Sequence, residues 1–366
     1  MASPRLRLLG PAALALLVSA GFVLVRLSRA EWDPVALADP GTRYTEGDPE
    51  GTEGYDGQFV YYIAIDPDPA RVAPKLDVPA YRYQRILYPM MARLLAAGDP
   101  KWIPWTLIVI AVAAQTAGTL AVTGLMADYG QPTRYALAYG LWAGLVAAAA
   151  LDLHEPLAYA LVAAAWLARR KRRALLGAGL MGLALFAKET SLVFWGAWLA
   201  ADLVASQTRR RAAWLALAAA PFALWQIWLW RTFGSPGLGS GGAYATPFEW
   251  IPFMGLWRVG GVHLVVLALY LAIMGPTIVF PAAWGILSTV RRLWKGDLSE
   301  ETISLFANAS AVAFLPFSTF REPFSVFRVA TGLVLAILVY AARHGMRRPL
   351  NYSLFWISLL VILIRD

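Results

Sequence analysis

Cysteine is absent from all 366 residues, so no disulfide holds any loop together, and that absence carries no firm information on redox compartment. Charge is scarce as well: charged residues make up 15% of the chain against 59% hydrophobic, and mean hydropathy is +0.54. This balance excludes an ordinary soluble globular domain. No clear internal repeat is present, which weighs against the paired halves usual in transporters. The remaining charge is uneven in sign, with 32 Lys and Arg against 23 Asp and Glu, a net +9.

Long apolar runs take the place of charge. Crossing about 30 Å of hydrocarbon needs about 20 apolar residues. Candidate spans lie at 8–28, 103–126, 135–151, 156–168, 174–187, 191–205, 212–231, 259–290, 301–317, 329–342 and 351–364. The expected fold is an all-α membrane protein, a polytopic helical bundle of about eleven transmembrane helices forming one domain over residues 1–366. The runs at 156–168, 174–187 and 191–205 are short for full crossings, and Gly275-Pro276 is expected to kink the longest run.

Basic residues in short loops stay cytoplasmic. With the N-terminus inside, Arg5 and Arg7, Arg134, the run Arg169 to Arg173, Arg209 to Arg211, Arg291-Arg292 with Lys295, and Arg343 with Arg347-Arg348 all fall on that face. The excess charge is thus an orientation signal that also attracts anionic lipid, not a nucleic-acid surface. Val18-Ser19-Ala20 resembles a signal-peptide cleavage site, but the apolar run continues to Leu27. With or without cleavage, residues 29–102 form an extracytoplasmic loop.

The polar residues left over collect on the outer face. They are the first loop, then Asp152, His154 and Glu155, then Lys188 and Glu189, then Arg321, Glu322 and Arg328. Within the loop, Tyr55, Phe59, Tyr62 and Ile63 fall at helical spacing with Asp56 near the first turn. Ile86, Leu87, Met90, Met91, Leu94 and Leu95 form a second apolar stripe. Two interfacial helices are expected there.

The stretch Gly54 to Tyr62 puts a carboxylate and an amide among aromatics at a bilayer edge, a setting that suits glycosyl transfer from a phosphate-linked donor, which needs a base for the acceptor hydroxyl and cations for the leaving phosphate. Asp56 is the candidate base. Arg82, Arg85, Lys188, Arg321 and Arg328 are candidate phosphate ligands, since arginine binds phosphate bidentately. Gln58, Glu189, Asp152 and His154 complete the candidate substrate-binding set. Structural roles compete with these: an N-cap for Asp56 and snorkelling for Arg82 and Arg85. Asp152, His154 and Glu155 offer ligand types for a divalent metal, although such turns are more often solvated or paired; no cofactor is firmly implied. Gly234 to Gly242 includes a Gly-Ser-Gly with His263 downstream, but it lacks the buried helix start of an intramembrane serine protease and reads as a connector or a mobile lid.

The stretches Gly54 to Tyr62, Tyr81 to Pro89 and Phe186-Ala187-Lys188-Glu189-Thr190, set in this loop-and-span order, resemble the GT-C superfamily of integral-membrane glycosyltransferases, in its mannosyltransferase-like branch. The resemblance implies an inverting enzyme of the cell envelope that uses a polyprenyl-phosphate sugar donor and a glycan, lipid or protein acceptor. Its essential acid lies in the first outer loop, a role that falls on Asp56. Many members carry a paired acid where this chain has Gly57, which leaves metal dependence open. Many also end in a soluble outer domain, whereas the sequence stops at Asp366 after a span, so acceptor recognition would come from membrane loops or a partner. The alternatives are a transporter or flippase of a lipid-linked or small polar substrate, and a non-catalytic membrane assembly factor.

Overall fold

A computed structural model describes residues 4–205 and 208–363, with side chains from Leu8 onward. The side chains of Arg5 and Arg7, and Asp366, lie outside the described residues. Among those residues the fold is helical throughout, its one β contact being a bridge between Pro40 and Gly54.

Five helices are long and apolar enough to cross a membrane, which fits a membrane protein: Leu8–Arg29, Ile103–Asp128, Arg209–Phe233, Leu264–Leu293 and Pro323–Arg343. The expectation of about eleven spans does not hold. At 1.5 Å per residue, Glu155–Arg170 and Ala174–Ala187 reach only about 24 and 21 Å, and the run at 135–151 breaks into pieces of which Ala143–Ala149 is the longest. The runs at 191–205, 301–317 and 351–364 are likewise short or broken. The physical reason is that an apolar run records burial against protein as readily as against lipid. Tyr139, Trp142, Trp166, Trp198 and Trp356 are fully buried in one core that these short helices share.

Burial also sorts the five long helices. Pro323–Arg343 is 83% buried and runs through the centre, whereas Leu264–Leu293 is 22% buried and lies at the edge. Gly275-Pro276 does not break that helix; it passes through one π turn, Gly275–Val279. The missing proline N–H is absorbed there, and the Tyr352 hydroxyl donates to the Pro276 carbonyl at 2.7 Å.

The two helices expected to lie on the membrane differ. Gly57–Ile65 is enclosed on almost every side, with Phe59, Tyr62 and Ile63 packed against Val72, Leu76, Tyr83 and Leu229, so it is an interior element and not an interfacial one. Leu87–Leu95 keeps an apolar side open at Met90, Leu94 and Leu95.

The Glu155–Arg170 helix packs on both Ile103–Asp128 and Ala174–Ala187, and its two ends separate two polar clusters. At the Arg169 end, Arg169 pairs with Asp202 and Glu300, Arg170 and Lys171 with Asp128, and Arg343 with Glu301. The Glu155 end holds the candidate site.

Candidate functional site

Backbone geometry fixes the Asp56 segment first. Gly54 has φ +65°, and a Cβ there would lie 2.4 Å from the Asp39 carbonyl oxygen; a Cβ on Gly57 would lie 2.3 Å from the Leu151 carbonyl oxygen. Only glycine fits either position. Gln58 closes the loop, accepting from the Gly41 N–H (3.1 Å) and donating to the Glu53 carbonyl (2.7 Å). Expected to bind substrate, it is buried and committed to this bracing role.

Asp56 occupies the N-cap position of Gly57–Ile65, yet its side chain makes no cap hydrogen bond. Its carboxylate is held instead between two guanidinium groups, Arg82 Nη1 to Oδ1 and Arg328 Nη2 to Oδ2, each at 2.9 Å. Arg82 reaches back to Asp77 with a two-pronged contact at 2.7 and 2.8 Å and lies 4.1 Å over the Phe59 ring. Arg328 donates from Nε to Glu155 Oε1 (2.8 Å) and from Nη1 to the Tyr55 hydroxyl (2.8 Å). Lys188 Nζ bonds the same Glu155 oxygen at 2.6 Å.

The result is a chain of alternating sign running Asp77, Arg82, Asp56, Arg328, Glu155, Lys188. Beside it Arg85 grips Glu189 with two hydrogen bonds of 2.7 and 2.6 Å and also donates to the Tyr81 hydroxyl. Four cations thus meet four carboxylates, all paired. Arg82, Arg328, Lys188 and Glu155 are at most 8% exposed, whereas Asp56 is 30% exposed. Solvent therefore reaches this chain of charges mainly at Asp56.

Electrostatics follow the geometry. Burial alone would raise the Asp56 pKa, but Arg82 and Arg328 outweigh it and hold the carboxyl well below the usual range. Glu189 is likewise drawn down to about 2, Arg85 overcoming burial. His154 has no such rescue: burial lowers it to about 3, with Arg85 adding to the effect, so the ring is neutral beside Tyr88 (centroids 5.7 Å apart). Between about 3 and the ordinary 6.5 the unfolded chain binds a proton that the folded chain refuses, so stability falls as pH drops through that window. His154→Gln is expected to shrink the loss of thermal midpoint between pH 7 and pH 5.5. An unchanged loss would remove His154 as its cause.

Two expected site residues stand apart. Arg321 is exposed and donates to the Tyr244 carbonyl. Asp152 is wholly buried, has φ +52°, and neither carboxylate oxygen has a hydrogen-bond partner; burial pushes its pKa well up despite Arg26. The metal considered for Asp152, His154 and Glu155 therefore has no gathered ligand set, and among the described residues no three His, Asp or Glu side chains converge on one point.

Asp77, Tyr81 and the Tyr55 hydroxyl were not singled out from sequence as members of the cluster. The signal for Asp77 was its place just before the Pro79–Tyr83 helix that carries Arg82. The Gly234 to Gly242 segment is also more than a connector. Gln226 Oε1 accepts from Gly237 and Leu238 N–H, Ala243 N–H donates to Asp77, and the Tyr244 hydroxyl donates to Glu53. It forms a strap across Asp77 and Arg82, whose atoms lie 3.1 and 3.3 Å from where a Gly242 Cβ would be.

At the same end of the bundle an apolar groove of about 470 Å³ runs between Leu8–Arg29 and Ala143–Ala149, with Arg26 and Arg29 among its lining residues. Leu151 stands between it and Gly57. Comparison of the chain with family models, curated proteins and solved structures found no match.

Proposed function

We propose that this protein is a membrane glycosyltransferase of the GT-C type that uses a polyprenyl-phosphate-linked sugar. The observation that carries the reading is Asp56, a carboxylate set between two guanidinium groups at the solvent-reached edge of an otherwise buried chain of charges. Buried ionisable groups in a membrane protein are costly and mark function by default. A carboxylate flanked by arginines also matches what transfer from a phosphate ester demands.

In the free protein Asp56 is a weak base because Arg82 and Arg328 stabilise its ionised form. A donor phosphate competing for those guanidinium groups loosens that hold and raises its basicity. Asp56 then takes the acceptor hydroxyl proton as the oxygen attacks the anomeric carbon. The bond from that carbon to the phosphate oxygen breaks, and polyprenyl phosphate leaves with the electron pair. The groove of about 470 Å³ suits the apolar tail. By the distribution of basic loops, the Asp56 end is extracytoplasmic.

The direct test uses purified protein in vesicles with a polyprenyl-phosphate hexose and a panel of acceptors. Glycosylated acceptor and free polyprenyl phosphate should appear together. Carrier moved across the bilayer uncleaved would identify a flippase, and neither outcome would leave an assembly factor. Sidedness has its own check, free of background because the chain has no cysteine. Cysteines placed at the exposed positions Glu50 and Lys171 should react with an impermeant reagent from opposite sides. Labelling from one side would overturn the extracytoplasmic assignment.

A further inference from the structure

The end of the bundle remote from Asp56 carries a second feature that sugar transfer does not use. Helix Phe280–Leu293 and the segment after Arg347 enclose a groove of about 610 Å³, which shares Phe280, Trp284 and Ser288 with a neighbouring hollow of about 520 Å³. Its aromatic wall is fixed in place. Tyr352 meets Phe280 at 5.5 Å and Trp356 at 6.2 Å, and its hydroxyl is tied to the Pro276 carbonyl.

The cations of this groove differ from their neighbours at the same end. Arg169, Arg170, Lys171 and Arg343 each have a carboxylate within 3.0 Å. Arg347 and Arg348, which line the groove, and Arg291 and Lys295, which line the neighbouring hollow, form no ion pair among the described residues, and Arg292 reaches Asp297 only at 3.9 Å. Trp294, 87% exposed beside them, is the residue type that settles at a membrane–water interface. Unpaired cations above an aromatic trough complement a ligand with an anionic head and an apolar tail.

We propose that this groove binds an anionic phospholipid, with an acyl chain along Phe280, Trp284 and Tyr352 and the phosphate among Arg291, Lys295, Arg347 and Arg348. General attraction of basic loops to an anionic leaflet needs no groove, and the site adds a preference for one position. The proposal rests on the helices crossing a membrane and is independent of any chemistry at Asp56.

The test is native mass spectrometry of the full-length protein extracted from mixed phosphatidylcholine and phosphatidylglycerol vesicles, alongside thermal unfolding with each lipid added. At least one phosphatidylglycerol per chain should be retained in preference to phosphatidylcholine, and it should raise the thermal midpoint. The triple variant Arg291→Gln, Arg347→Gln, Arg348→Gln should weaken retention on the order of 10- to 100-fold. A control with Arg172→Gln, Arg173→Gln and Arg209→Gln, exposed at other basic loops, should bind as the wild type does. Equal losses in the two variants would reduce the effect to general surface attraction. Equal retention of phosphatidylcholine, full displacement by inorganic phosphate, or a lipid-free dimer covering the groove would each overturn the site.

Discussion

Replacing Asp56 with Asn is expected to lower sugar transfer by a factor on the order of 10²–10⁴ while leaving the protein folded. Asparagine keeps the size of the side chain but loses the negative charge and the basicity that acceptor activation needs. The fold tolerates the change because both arginines that touch Asp56 have a second carboxylate. Arg82 keeps its two-pronged contact with Asp77, and Arg328 keeps Glu155. The stability cost is therefore about 1–3 kcal/mol, that of a weakened charged hydrogen bond, and not the larger penalty of an orphaned buried ion. The assay pairs transfer from a polyprenyl-phosphate donor with protein yield and thermal midpoint in the same preparation. Near-full transfer by the Asn variant would remove Asp56 from the chemistry and return the charge chain to a structural role. Loss of fold together with activity would contradict the redundancy of the two arginine contacts.

That redundancy shows where reading the sequence succeeds and where it stops. The five long helices correspond to five of the apolar runs, because each is a continuous run with charge gathered at its ends. The short helices misled because Trp142, Trp166 and their neighbours are apolar for the sake of a protein core, and hydropathy cannot tell that core from lipid. The stripe of Phe59, Tyr62 and Ile63 was visible for the same reason and turned inward on Tyr83 and Leu229 instead of outward. Asp56 is legible locally, from its place near the first turn of an aromatic stripe. What it touches was not legible: Arg328 lies 272 residues away along the chain, and Arg328 meets Glu155 across 173. Arg82 and Arg85 share a sequence neighbourhood but diverge, one to Asp56 and Asp77, the other to Glu189. Only tertiary packing sets those pairings.

Glu155 marks the other extreme, where a single neutralisation should cost a large share of the fold's stability. It is wholly buried at the start of the Glu155–Arg170 helix, and both Lys188 and Arg328 bond to its Oε1. Arg328 has Asp56 and Tyr55 in reserve. Lys188 is 4% exposed and pairs with no other carboxylate among the described residues. Glu155→Gln thus strands a buried ammonium, a loss of about 3–5 kcal/mol against a total stability of about 5–15 kcal/mol. The expected result is a sharp fall in monodisperse protein and in thermal midpoint, well beyond that of Asp56→Asn. Removing the stranded charge as well should restore part of the loss, so the double variant Glu155→Gln, Lys188→Met should exceed Glu155→Gln in stability by about 1–3 kcal/mol. A double variant no more stable than the single one would show that the cost lies in packing around Glu155 and not in the Lys188 charge. If it folds yet transfers no sugar, the Glu155–Lys188 pair acts on the substrate as well as on the fold; wild-type transfer would confine both residues to a structural part.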